Sequence, residues 1–261
     1  MKSKEIESPG EIRVPELQVG PRWKKIIHWA GHINCSYCII GFMALLALSL
    51  LLMPGYIYEN LLMRIEGQKI LLTLILIFCG VAVSLVWKTG QSVDVWVFKA
   101  FNIRGKRACW IDKTMLGLTQ AGSSIFALGV AVVFYLLSDH LLAYEVILGT
   151  LTLWLFVEFI KILIHRTRPY VKLKDIRTVG ARAGGTSFPS GHTSQSFFMA
   201  ALLSHYFSFG LFGGAAIYAV ASLIGITRIY VGMHYPRDVI GGAVFGTFWG
   251  LLGVVMNNYI R

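Results

Sequence analysis

Charge is what this sequence has least of. Only 14% of its 261 residues are Asp, Glu, Lys or Arg, whereas a soluble domain carries about a quarter. Acids are the scarcer half, 13 against 24 Lys and Arg, for a net charge of +11. Long polar stretches are equally rare once the first thirty or so residues are passed. These shortages exclude an ordinary soluble globular protein. Cysteine is sparse too, with four in the chain, and says little about redox compartment. Cys79 falls inside an apolar run and Cys109 in a basic connection. Cys35 and Cys38 follow His28 and His32 at a spacing zinc can use. We read that set as small residues at the mouth of an apolar span, with histidines at the interface.

What is abundant is hydrophobicity, at 56% of residues with a mean hydropathy of +0.64. Crossing a bilayer takes about 20 mostly apolar residues. Stretches at 36–54, 67–87, 115–137, 142–164, 191–208, 212–232 and 238–259 qualify. The expectation is an all-α fold: a polytopic membrane helical bundle with six to seven transmembrane helices. The first run lies behind more than thirty polar and mixed residues, unlike a cleavable signal peptide.

The positive charge does not point to nucleic acid, because no soluble basic module holds it. Lys and Arg gather in the N-terminal tail, the 88–114 connection and the 165–190 loop, where they meet anionic head groups or set topology. Residues 1–21 read as a polar tail, and "RWKKIIHWAGHI" as an interfacial helix completing a 1–35 segment. Two N-terminal spans would occupy 36–87, and the main membrane core 88–261. Val95, Phe98 and Phe101 recur at helical spacing, so a second surface-lying helix is expected there. Tight connections at 138–141 and 208–211 would join spans as hairpins. The segment 165–190 has no apolar period, and a loop that long is commonly functional.

Three polar clusters interrupt the apolar sequence. Lys161 and Arg168 lie seven residues apart, two helical turns, near the end of one span, and Pro169 ends the helix there. "PSGH", residues 189–192, opens the next. Pro189 suits a first helical position, with Ser190, Gly191 and His192 in the first turn. Free backbone N–H groups and the positive end of the helix dipole suit an anion, and Gly191 lets that backbone approach a ligand. His192 exchanges a proton near neutral pH. The third cluster comprises Arg228, His234 and, in the first turn of a helix opened by Pro236, Asp238. Four residues after His234, Asp238 is close enough to hydrogen-bond one imidazole nitrogen and leave the other free as a nucleophile. Taken singly, these are snorkelling cations, a capped helix start and a His–Asp pair in a tight turn. Together, alternating crossings put all three clusters on one membrane face. Three cations, two histidines and two helix N-termini there match a phosphate carrying about −1.5 to −2 charge; a divalent metal would be repelled.

In that order and at those gaps, K-x6-R-P (161–169), P-S-G-H (189–192) and T-R-x5-H-x3-D (227–238) resemble the three-part signature of the type 2 phosphatidic acid phosphatase superfamily. The resemblance extends over about residues 90–260. It departs at Thr227, where the family usually has Ser, and in the additional first apolar run. It implies that His234 attacks phosphorus and Asp238 orients it. His192 protonates the leaving oxygen, while Lys161, Arg168, Ser190, Gly191, Thr227 and Arg228 hold phosphoryl oxygens. It implies no metal or other cofactor.

The function expected is a membrane-embedded lipid phosphatase or pyrophosphatase, acting on a phosphate ester or isoprenyl diphosphate through a phosphohistidine. Its partners are the lipid phosphate and surrounding membrane lipids, not nucleic acid. A lipid phosphotransferase with the same pocket is the alternative. An anion transporter is a weaker fit, giving no reason for His192, His234 and Asp238 to share a face. Relatives that are haloperoxidases are soluble, and this chain is not. Orientation pulls two ways. Six Lys and Arg in 1–37 and six in 88–114 place the catalytic face in the cytoplasm if seven spans are counted. The resemblance places it outside, and substrate access makes the outward face of an inner, multi-pass membrane protein our expectation.

Overall fold

The computed structural model describes residues 68–102, 108–174, 176–182 and 184–260. The tail and interfacial helix of 1–35, the apolar run 36–54 and the Cys35–Cys38 set lie outside the described residues. Every regular element among those described is a helix: α1 Lys69–Ser84, α2 Lys88–Phe101, α3 Cys109–Gln120, α4 Ser124–Leu136, α5 His140–Leu163, α6 Pro169–Lys172, α7 Gly191–Tyr206, α8 Leu211–Tyr230 and α9 Pro236–Ile260. α5, α8 and α9 are each long and apolar enough to cross a membrane. The bent pairs α1–α2 and α3–α4 bring the total among the described residues to as many as five, and α7 is shorter, at 16 residues. Bulky apolar side chains cover the outside, among them Ile125, Leu211 and Phe212, each more than 80% exposed. Water would not tolerate such a surface, and this is an integral membrane protein.

Two expected elements change shape. The run 115–137 is not one straight helix. It breaks at Ala121–Gly122–Ser123 and bends by 59°, because the chain there must fit against another helix. A Cβ on Gly122 would lie 2.7 Å from Ile224 and 2.9 Å from the His192 carbonyl oxygen. Ser123 then caps α4, accepting from the Phe126 N–H at 3.1 Å. Pro189 is not the first helical residue either. Ser190 is the extended N-cap and Gly191 begins α7, which moves the helix start by two residues, to the position before His192. Elsewhere the helices follow the apolar runs. α2 turns 94° from α1 where the surface-lying helix was expected. The hairpin connections carry Ser138 and Ser208 at positive φ.

α7 and α9 form the centre of the bundle and pack backbone to backbone. Gly242, Gly246 and Gly250 recur every fourth residue along one face of α9. A Cβ on Gly242 would stand 2.7 Å from the Ser190 oxygen, and one on Gly250 2.8 Å from the Phe198 oxygen; on Gly246 it would collide with the Ser194 carbonyl. Small residues at i, i+4 and i+8 allow this approach, as at many helix pairs in lipid. Around them Phe78, Leu153, Val157, Phe188, Phe198, Leu202 and Phe245 form the main core. The consequence is positional. The N-terminus of α7, with Ser190 to His192, is locked beside that of α9, with Asp238.

Candidate active site

At the ends of α5, α7, α8 and α9, a pocket of about 280 Å³ opens among Lys161, Arg168, Gly191, His192, Arg228 and His234. Gly122, Ser124, Gly184, Gln195, the acidic Glu158 and the apolar Leu153, Trp154 and Val157 complete its wall. The three sequence clusters, separated by up to 77 residues along the chain (161 to 238), thus meet at one place.

His234 lies in the turn that joins α8 to α9. That turn is wound onto the end of α8, with the Met233 and His234 N–H groups both donating to the Arg228 carbonyl. Gly232 within it has φ +85°, and a Cβ there would meet the Arg177 oxygen at 2.5 Å. His234 Nδ1 lies 2.8 Å from the Ser187 carbonyl oxygen. A carbonyl only accepts, so Nδ1 carries the proton and Nε2 keeps its lone pair. Burial pushes this imidazole down to about 4; Asp238 opposes the shift, and the Arg228 and Arg168 charges add to it. The ring is therefore a neutral, nucleophile-ready base at ordinary pH.

Asp238 does not bond His234 directly as the i, i+4 spacing suggested; its oxygen is 3.8 Å from Nδ1. The reason is competition. Asp238 Oδ2 accepts from Ser187 Oγ at 2.5 Å and from the Tyr235 N–H at 2.8 Å, and Oδ1 accepts from Arg166 Nη1 at 2.5 Å. The carboxylate thus holds Ser187, and Ser187's carbonyl holds the histidine.

The cations divide by what they still lack. Arg168 donates through Nε to Gly185 O (3.1 Å) and through Nη2 to Gly184 O (2.9 Å), leaving Nη1 buried without a partner. Burial pushes its guanidinium below the usual value. Arg228 donates through Nη1 to Thr119 Oγ1 at 2.9 Å, and its buried Nε has no partner. An unpaired buried guanidinium nitrogen is costly, and two of them around one cavity indicate an anion. Lys161 Nζ pairs with Glu158 at 2.7 Å and would stand 4.0 Å from a Cβ on Gly191, beside the α7 N-terminus.

Not every candidate lines the cavity. Ser190 and Thr227 are fully buried. The Thr227 hydroxyl donates to Ile224 O at 2.7 Å, within its own helix. Ser190 Oγ accepts from Thr193 Oγ1 at 2.9 Å, and its N–H donates to the Asp238 carbonyl at 3.0 Å. Sequence reasoning missed Ser187, Arg166, Asp94 and Thr119, which act behind the pocket, and Gln195, which lines it. A polar residue one turn beyond His192 on an apolar helix was the available signal for Gln195.

Residues 140–261 match the PAP2 superfamily. Over 188 residues the chain is 28% identical to phosphatidylglycerophosphatase B of Bacillus subtilis, covering 67% of this chain and 88% of that protein. It is 26% identical to the undecaprenyl-diphosphatase of the same organism, covering 63% and 84%. The crystal structure of the transmembrane PAP2-type phosphatidylglycerolphosphate phosphatase from Bacillus subtilis superposes with a TM-score of 0.63 at 25% identity, over 73% of this chain and 97% of that one. With the three motifs gathered on one pocket in a helical membrane fold shared with that phosphatase, residues 140–261 belong to the PAP2 superfamily, and the chain is similar to its membrane lipid phosphatases.

Proposed function

We propose that the pocket hydrolyses the terminal phosphate of a membrane lipid through a phosphohistidine on His234. The observation that carries this is a cavity lined by Arg168, Arg228 and Lys161 together with two histidines, in which each arginine keeps one buried nitrogen, Nη1 and Nε, without a partner. A phosphoryl group seated there meets the charge of both guanidinium groups. His234 Nε2 attacks phosphorus while the bond from phosphorus to the lipid oxygen breaks, and His192 protonates that oxygen. His192, now neutral, takes a proton from water. The resulting oxygen attacks the phosphohistidine, releasing phosphate and restoring His234. Arg168, Arg228, Lys161 and the α7 N-terminus stabilise the charge on the equatorial oxygens.

Leu153, Trp154 and Val157 make one wall apolar, which suits a lipid stem. The relatives matched along most of their length are named for phosphatidylglycerophosphate and undecaprenyl diphosphate, and these are the first substrates to try, followed by phosphatidic acid and a phosphorylated lipid A. The test is phosphate release by the purified protein in detergent, with an acid-labile phosphoenzyme trapped from ³²P-labelled substrate. Wild type should release phosphate and show the phosphoenzyme, and His234→Ala should do neither. Turnover by the His234 variant would sink the mechanism, and label transferred to an added acceptor lipid would make the protein a phosphotransferase.

A further inference from the structure

We propose that Arg166 is a positioning residue for the nucleophile, braced from α2 by Asp94. The inference rests on His234 being the nucleophile, as proposed above. Arg166 stands in the first cluster between Lys161 and Arg168, where a third phosphate-binding cation would be the simple expectation. Its contacts say otherwise. Nη1 donates to Asp238 Oδ1 at 2.5 Å and Nη2 is paired with Asp94 Oδ2, so both terminal nitrogens are committed to carboxylates. The guanidinium lies 4.5 Å over the Tyr235 ring, and the residue does not line the pocket.

Arg166 holds both links of the chain that fixes His234, Asp238 and the Ser187 that Asp238 holds. Its side chain fixes Asp238. Its main-chain carbonyl accepts the Ser187 N–H at 2.7 Å, and Ser187's own carbonyl receives the proton of Nδ1. A planar fork gripping two carboxylates cannot rotate without breaking one grip. Asp94 supplies the fixed end. It is 2% exposed on α2 and also takes Arg237 Nε at 2.7 Å and the Arg237 N–H at 3.2 Å. Arg237 in turn reaches the Ser84 carbonyl at 2.5 Å, at the end of α1. The chain Asp238–Arg166–Asp94–Arg237 alternates in sign and balances its own charge. It therefore orients the site without adding to the charge that binds phosphate.

The experiment measures kcat, KM and unfolding temperature in detergent for Arg166→Gln and Arg166→Lys, each alone and combined with Asp238→Asn. A misplacement on the order of 1 Å costs about 100-fold in rate. Accordingly, Arg166→Gln should lose about that much in kcat, with KM within a few-fold of wild type. Arg166→Lys keeps the charge but not the fork, and should recover only part of the loss. In the Asp238→Asn background the Arg166 substitutions should cost far less than in wild type, since they act through the same carboxylate; a structural role would give additive losses. If Arg166→Gln does not fold, Arg166→Lys carries the comparison. A folded variant with kcat within twofold of wild type, a loss confined to KM, or additive losses would overturn the assignment. Wild type without phosphate release on any lipid phosphate would instead overturn the function proposed above, which separates the two failures.

Discussion

At the scale of single residues, the site separates atoms that face the ligand from atoms that hold other atoms still. His234 illustrates both demands. As the proposed nucleophile it must be neutral, and burial keeps it so down to a pH of about 4. The unfolded chain takes up that proton near 6.5, so between about 6.5 and 4 the unfolded state binds more protons than the folded one. Stability is therefore lost as pH falls through this window, by up to about 1.4 kcal/mol per pH unit from this group, and is unaffected by it above. The unfolding midpoint of the ligand-free protein in detergent should decline across the window. His234→Asn, which cannot be protonated there, should flatten that slope. An unchanged slope in the variant would mean that His234 titrates normally. The partners of His234 were only half legible in sequence. A four-residue spacing correctly brought Asp238 close, but Ser187 Oγ, the Tyr235 N–H and Arg166 occupy its oxygens. No one-dimensional spacing shows Arg166 reaching Asp94 across 72 residues.

At the scale of elements, the cation and histidine clusters were legible because each sits at a helix end, where proline and glycine punctuate an apolar run. The break at Gly122 was not. Ala121–Gly122–Ser123 is as small and uncharged as many spans tolerate, and only the approach of Ile224 and the His192 carbonyl makes it a bend. The stripe of Gly242, Gly246 and Gly250 was visible as a four-residue repeat, but what it touches depends on which helix neighbours α9. A methyl at Gly246 has no space, because the α7 backbone occupies it. Gly246→Ala should destabilise the protein by about 1–3 kcal/mol or more and displace the start of α7, lowering kcat as well as the unfolding temperature. By contrast Gly253, with nothing near its Cβ position, should accept alanine with little change in either. Equal behaviour of the two variants would show that the α7–α9 contact is looser than described.

At the scale of the whole molecule, the helices set which compartment the pocket serves. The three clusters share one end of the bundle, and we expect that end to lie outside the cytoplasm, where a lipid phosphate presented at the outer leaflet can reach it. Lys174, exposed in the 165–190 loop, reports on this. In a cysteine-free background, Lys174→Cys should be labelled by an impermeant maleimide in intact cells; labelling only after permeabilisation would place the pocket inside. The balanced chain of Asp238, Arg166, Asp94 and Arg237 has a kinetic corollary. Since it neutralises itself, the positive excess in the cavity belongs to Arg168 and Arg228, and in the proposed reaction these grip the phosphoryl group rather than the lipid attached to it. In the proposed cycle the lipid alcohol departs first, and orthophosphate, the last species to leave, would be held by the same contacts that captured the substrate. Free phosphate should therefore inhibit competitively, raising KM for the lipid while leaving kcat untouched. Clearing its own product then becomes part of the work of each cycle.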